Sequence, residues 1–195
     1  MPWRKTSDPY KILVSEIMLQ QTQVDRVVSK YKNFLKKFPT LKHLADARQS
    51  AVVKEWQGLG YNRRALYLKR AAEYILKNYG GIFPNNPIEL EKLPGVGSYT
   101  ARAMCAFAWD ESSVFIETNI RRVYIHFFFA RRARVDDKEI LKIIQKTLPS
   151  HNAREWYWAL MDYGSGELKK IPNPNRKSVR YSRQNKFEGS QRYAR

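Results

Sequence analysis

Leu93-Pro94-Gly95-Val96-Gly97-Ser98-Tyr99-Thr100-Ala101-Arg102-Ala103-Met104 is the stretch on which the fold of this chain turns. Asn86-Pro87 opens a helical pattern that carries Ile88, Leu90 and Leu93, and Ser98 can cap a second helix of small residues reaching to about Trp109. Between them Pro94, Gly95 and Gly97 interrupt helix formation, so Leu93 to Gly97 predicts a hairpin joining two helices. Two glycines at this spacing leave backbone amides exposed at a helix start, where the peptide dipoles favour an anion. Without Cβ atoms, Gly95 and Gly97 also permit close approach of a phosphate backbone. A tight helix-helix turn with no ligand carries the same two glycines, so the surrounding residues have to decide.

Outward from the hairpin the chain reads as one helix after another. Ser7-Asp8-Pro9 supplies a cap and a first-turn proline to the apolar run Tyr10 to Leu19. Thr22 with Asp25 fits a capping box, followed by Val24, Val27, Val28, Tyr31, Phe34, Leu35 and Phe38 at amphipathic spacing, and Pro39 ends the segment. Shorter helices over Leu41 to Ala47 and Ala51 to Gln57 close at Gly58 and Gly60, and Asn62 caps a long one that stops at Gly80-Gly81. On the other side, Val114 to Ile116 can be extended, while Thr118 and Asn119 fit caps of a helix through Phe129. Asp136 with Glu139, and Asn152 with Glu155, predict two more capping boxes, for helices ending near Leu148 and Tyr163. No segment carries a convincing strand period and no repeat is evident, so the expected fold class is all-α. From about Ser165 the chain is poor in apolar residues and rich in Lys and Arg, which predicts an irregular basic tail.

Composition narrows the function. With 195 residues and 43% hydrophobic content the chain can bury a real core, and 36 Lys plus Arg against 18 Asp plus Glu give a formal charge of +18. Such an excess suits a polyanion, with nucleic acid first. No apolar segment has spanning length and no signal-peptide pattern opens the chain, so no membrane partner and a cytoplasmic, nucleoid-associated protein are expected. Cys105 is the one cysteine, which rules out an internal disulfide and a thiolate-ligated cluster and predicts a buried thiol.

LPGVGSYTARAM resembles the helix-hairpin-helix of the DNA glycosylase superfamily that includes endonuclease III and the MutY-type adenine glycosylases. Pro2-Trp3-Arg4, Asp8-Pro9-Tyr10, the run Ser15-Glu16-Ile17-Met18-Leu19-Gln20-Gln21-Thr22-Gln23-Val24, Gly58-Leu59-Gly60-Tyr61 and Met161-Asp162-Tyr163-Gly164 resemble MutY segments in the same order, from Pro2 to Gly164. The resemblance implies a two-lobed fold with the active cleft between lobes. Residues 23–117 would form a helical barrel-like lobe bearing the hairpin, 1–22 with 118–164 the other lobe, and 165–195 the basic tail.

It also implies roles. Glu16, in an apolar sequence, would be the general acid that protonates the base, its proton held by desolvation if it points into a cleft. Glu117, where the superfamily usually has an aspartate, would stabilise the electron-poor sugar, with Asn119 beside it; the longer side chain would require the backbone or the sugar to sit differently. Capping of a helix by Glu117 and Thr118 is the plainer alternative. Tyr99 occupies the place of the Schiff-base lysine of lyase-type relatives and cannot form that adduct, so the chain resembles the monofunctional branch. Gln21 and Tyr61 match residues that insert into the DNA stack, Leu93, Gly95, Val96 and Gly97 the hairpin that grips DNA, and Arg4 and Asp162 base-contacting positions.

MutY and endonuclease III usually carry four cysteines after the Met-Asp-x-Gly segment, holding an iron-sulphur cluster. This chain has none there, so no cluster, metal or other cofactor is expected. Instead Glu167 to Arg195 presents Lys169-Lys170, Arg176-Lys177, Arg180, Arg183 and Lys186, with Tyr181 and Phe187 interleaved, and is expected to cover the lobe and grip phosphates. The family's C-terminal domain for oxidised guanine and the helix preceding the first motif are missing, so both ends are expected to be incomplete. The expected function is a monofunctional base-excision glycosylase acting, as a monomer, on adenine mispaired with guanine or 8-oxoguanine in double-stranded DNA. A thymine or uracil mismatch glycosylase and a non-catalytic DNA-binding module are the alternatives.

Overall fold

The computed structural model describes residues 1–182. Its helices are α1 (Pro9–Leu19), α2 (Val24–Lys37), α3 (Leu41–Asp46), α4 (Gln49–Trp56), α5 (Arg63–Tyr79), α6 (Pro87–Leu90), α7 (Ser98–Trp109), α8 (Thr118–Phe128), α9 (Asp137–Thr147) and α10 (Ala153–Ser165). Short 3-10 turns cover Pro2–Lys5, Glu167–Lys170 and Pro174–Lys177. The fold is all-α: among the described residues there is no strand, Val114 to Ile116 included, and one isolated bridge joins Val135 to Ser178. None of the described helices is long and apolar enough to cross a membrane.

The chain divides into two compact units. The first comprises Met1–Phe115 with Leu148–Trp156, the second Ile116–Thr147 with the chain from Tyr157. In the expected division residues 1–22 joined the segment after Thr118. In the structure α1 packs on α2, α5 and α7 inside the first unit, because its apolar residues run right round the helix and Leu13, Val14 and Met18 are wholly buried. Ala101, Ala103 and Ala106 on α7 are also fully buried, and their small side chains let α7 lie close to α1. Aromatic rings fill the α2 and α4 side, where Phe34 meets Phe38 and Trp56 edge-on, with centroids 4.9 and 5.9 Å apart.

Several caps act as expected. Asp8 accepts from Tyr10 N at 2.9 Å, Asn86 from Ile88 N at 2.8 Å, and Gly80 ends α5 in the left-handed conformation. Asp136 and Glu139 both cap the start of α9: Asp136 Oδ1 accepts from Lys138 N and Glu139 Oε2 from Asp136 N. Four expected caps are corrected. Asn62 precedes α5 in a helical backbone conformation and makes no side-chain cap. Gln23 precedes α2 with no side-chain cap, because the Thr22 hydroxyl accepts from Arg64 instead. Gly97 is the N-cap of α7, with Ser98 already inside the helix. Glu117, and neither Thr118 nor Asn119, caps α8.

In the second unit α8 packs on α9 and on the Pro174–Lys177 turn. Arg121 grips the buried carboxylate of Asp137 through Nε and Nη2 at 2.7 and 2.8 Å, and Arg180 approaches the same group at 3.4 Å. Asn175, 4% exposed, donates to Thr118 O at 2.9 Å. Val135 N donates to Lys177 O and Val179 N to Val135 O, at 2.9 and 3.0 Å. The segment from Ser165 to Arg180 is therefore not the irregular tail that its composition predicts: it is anchored by Leu168, Pro174, Asn175 and Ser178, all buried. Of the expected phosphate contacts, Arg183 and Lys186, with Phe187, lie outside the described residues.

Candidate active site

The hairpin is a backbone device. Leu93 and Val96 are only 2% and 6% exposed, so their side chains anchor the turn in the core and only their main chain can meet a ligand. Gly95 has φ +82°, and a Cβ there would stand 2.8 Å from Tyr67 Cβ. Its missing side chain thus serves internal packing against Tyr67. Gly97 does leave space, with nothing within 4 Å of a Cβ. After it α7 starts without a side-chain cap, so its first turn presents backbone N–H groups to an anion. Gly95→Ala should therefore cost about 1–3 kcal/mol of stability through its left-handed backbone and the Tyr67 clash, whereas Gly97→Ala should leave thermal unfolding nearly unchanged and weaken DNA binding. Thermal melts beside a binding titration check the contrast.

Gln21 and Tyr61 lie exposed on two turns of the same unit, after α1 and before α5, and both have left-handed backbones, φ 54° and 49°. Between the turns sits Arg64, 8% exposed, which sequence reasoning missed. A signal existed: residues 64, 68, 71 and 75 form one buried face of α5, and an arginine there interrupts Leu68, Ala71 and Ile75. Gln20 Nε2 donates to Gly95 O at 3.3 Å and so ties the first turn to the hairpin.

Glu16 is 7% exposed on α1, in the same stretch as the fully buried Leu13, Val14 and Met18, a low-exposure setting of the kind that favours a protonated carboxyl. Tyr99 stands on the first turn of α7, the helix packed against α1, and is 36% exposed. Its ring meets Phe115 edge-on at 5.6 Å, so it is neither a wholly buried core residue nor an amine that could form an adduct. Arg4 lies half-buried in the Pro2–Lys5 turn of the same unit.

Glu117, Asn119 and Asp162 belong to the second unit. Glu117 Oε1 accepts from Asn119 N and Ile120 N, both at 2.7 Å, and Oε2 stands 3.5 Å from Asn119 Nδ2. The extra methylene lets the carboxylate fold back over its own helix N-terminus. Burial pushes this carboxyl above the usual range, against the pull of the two backbone N–H groups and of Arg121 and Arg122. Asn119 is fixed from behind by Gly164 of α10, where a Cβ would fall 2.5 Å from Asn119 O. Asp162 is exposed on α10.

Among the described residues no group of His, Cys, Asp and Glu could hold a metal ion. The single cysteine cannot supply the four thiolates of an iron-sulphur cluster. Cys105 is fully buried, donates to Asn85 O at 3.3 Å, and burial raises its thiol pKa to about 11.

Residues 14–150 match the model of the HhH-GPD superfamily base excision DNA repair protein. The chain is 37% identical over 169 residues to the adenine DNA glycosylase of Buchnera aphidicola subsp. Baizongia pistaciae, covering 85% of this chain and 47% of that protein. It is 30% identical over 167 residues to the thymine/uracil-DNA glycosylase of Methanothermobacter thermautotrophicus, covering 84% of this chain and 76% of that one. The solved structure of a thermostable thymine-DNA glycosylase superposes with a TM-score of 0.76 at 28% identity, over 85% of this chain and 78% of the other. The chain spans about half the length of the adenine DNA glycosylases that it matches.

Proposed function

The chain belongs to the HhH-GPD superfamily of base excision DNA repair proteins, and on that footing we propose that it is a monofunctional glycosylase. Its proposed substrate is adenine mispaired with guanine or 8-oxoguanine in double-stranded DNA, on which it acts as a monomer. The observation that carries this reading is Glu16, buried on α1 within the Ser15 to Val24 run that resembles the adenine glycosylases.

Glu16 delivers its proton to a ring nitrogen of the flipped adenine. The C1′–N9 bond breaks with its electron pair leaving on the base, and the sugar becomes an oxocarbenium ion. The Glu117 carboxylate is assigned the stabilisation of that positive charge, and water then adds to C1′, its proton passing to the Glu16 carboxylate left by the first step. Tyr99 offers no amine, so no Schiff base forms and the strand stays intact. Gln21 and Tyr61 fill the space that the base leaves, Arg4 and Asp162 contact bases, and the Gly97 turn holds a phosphate. The one cysteine of this sequence cannot hold an iron-sulphur cluster, and the proposed steps assign no part to one.

A thymine or uracil substrate is the second reading. It is favoured by the likeness to a thymine/uracil-DNA glycosylase of which this chain covers 76%. Duplexes with A, T or U opposite G, and A opposite 8-oxoguanine, separate the two. Release of adenine with strand scission only after alkali is expected. Release of T or U without A establishes the second reading, and nicking without alkali overturns the monofunctional one.

A further inference from the structure

Gln21 and Tyr61 hold left-handed backbones that non-glycine residues keep only where the surroundings over-determine them. One guanidinium brackets both. Arg64 Nη1 donates to the carbonyls of Ile17 at 3.0 Å, Met18 at 2.9 Å and Gln20, the last of which directly precedes Gln21. Nη2 donates to Thr22 Oγ1 at 3.0 Å, just after Gln21. It also donates to the carbonyls of Leu59 at 3.1 Å and Gly60 at 3.0 Å, just before Tyr61. The guanidinium carbon stands 5.7 Å from the centre of the Tyr61 ring and 5.5 Å from that of Trp56, whose indole N–H donates to Gly60 O at 3.2 Å.

We propose that Arg64 is the positioning residue that presets Gln21 and Tyr61 as a paired wedge for duplex DNA, an inference that rests on the glycosylase reading above. At 8% exposure Arg64 does not reach DNA itself. It acts by fixing two turns that are distant in sequence to one rigid planar group, so neither prong has to be ordered when it enters the stack. Lysine cannot reproduce this. A point ammonium donates in three directions, whereas the fork serves the two turns at once.

The test is base unstacking rather than base release. The whole chain is mixed with a duplex carrying 2-aminopurine beside a target adenosine opposite guanine, the target bearing a 2′-fluorine so that the glycosidic bond survives. The wild-type chain should raise the fluorescence severalfold. Arg64→Lys should keep DNA affinity within about tenfold, because the phosphate contacts that dominate it are untouched, yet lose most of the fluorescence rise. A purely structural arginine would lower the melting temperature without changing the signal of the folded protein. A folded Arg64→Lys with the full rise therefore overturns the proposal. Should Arg64→Lys not fold, Thr22→Val decides: it removes one acceptor from the Gln21 turn and should cut the rise about twofold, and a full rise counts against the proposal. The same measurement is made on duplexes with thymine or uracil opposite guanine, and a wild-type chain that unstacks none of the three overturns the glycosylase reading itself, and the wedge with it.

Discussion

Glu16→Gln is expected to slow single-turnover release of mispaired adenine by about a thousandfold, within the range that a positioned general acid contributes. The amide has nearly the size and shape of the carboxyl group and can still hydrogen-bond, but it has no acidic proton to give to the leaving base. Because Glu16 is only 7% exposed, the substitution replaces one buried polar group by another. Folding and DNA affinity should therefore change little. The measurement is base release under single-turnover conditions beside a binding titration on the same duplex. A variant that binds and excises like the wild-type chain would sink the acid assignment, and absence of any activity in both would favour the non-catalytic DNA-binding module.

What the sequence made legible is mostly local. Asp8 before Pro9, Asn86 before Pro87 and Asp136 with Glu139 cap their helices, since each needs only an oxygen two or three residues from an unpaired N–H. What stayed hidden was settled by distant partners. Thr22 fits a capping box until Arg64, 42 residues along the chain, takes its hydroxyl. Glu117 caps in place of Thr118 and Asn119 because the helix begins one residue after it, so its carboxylate faces the two free N–H groups of Asn119 and Ile120. Gly95 and Gly97 look equivalent in sequence, and only the position of Tyr67 shows that the first serves packing and the second leaves open space. Composition misread the segment after Ser165 for a related reason. Its few buried residues, Leu168, Pro174, Asn175 and Ser178, are too scattered to form a period, and the acceptors that tie the segment down, Thr118 O for Asn175 and Val135 O for Val179, lie on α8 and before α9.

Glu117→Gln should separate stability from chemistry. The glutamine oxygen can accept the same two bonds from Asn119 N and Ile120 N, so α8 keeps its cap. The charge is lost, and with it the electrostatic help to the oxocarbenium ion, so base release should fall by about a hundred- to a thousandfold. Stability should move the other way. Burial raises the Glu117 carboxyl, so the folded chain holds this proton more tightly than the unfolded chain does. Its stability contribution is thus most favourable at a pH below the unfolded value and declines as pH rises through the folded one. Above the folded value the wild-type chain bears a buried charge that glutamine removes, so there Glu117→Gln should melt at the same temperature or higher, and its melting curve should depend less on pH than that of the wild-type chain. Glu117→Asp keeps the charge with a side chain well suited to capping, and should retain base release within about tenfold of wild type. If Glu117→Gln lowered stability at neutral pH and left base release intact, the carboxylate would be only the cap of α8, and the positive charge of the transition state would have to be met by another group.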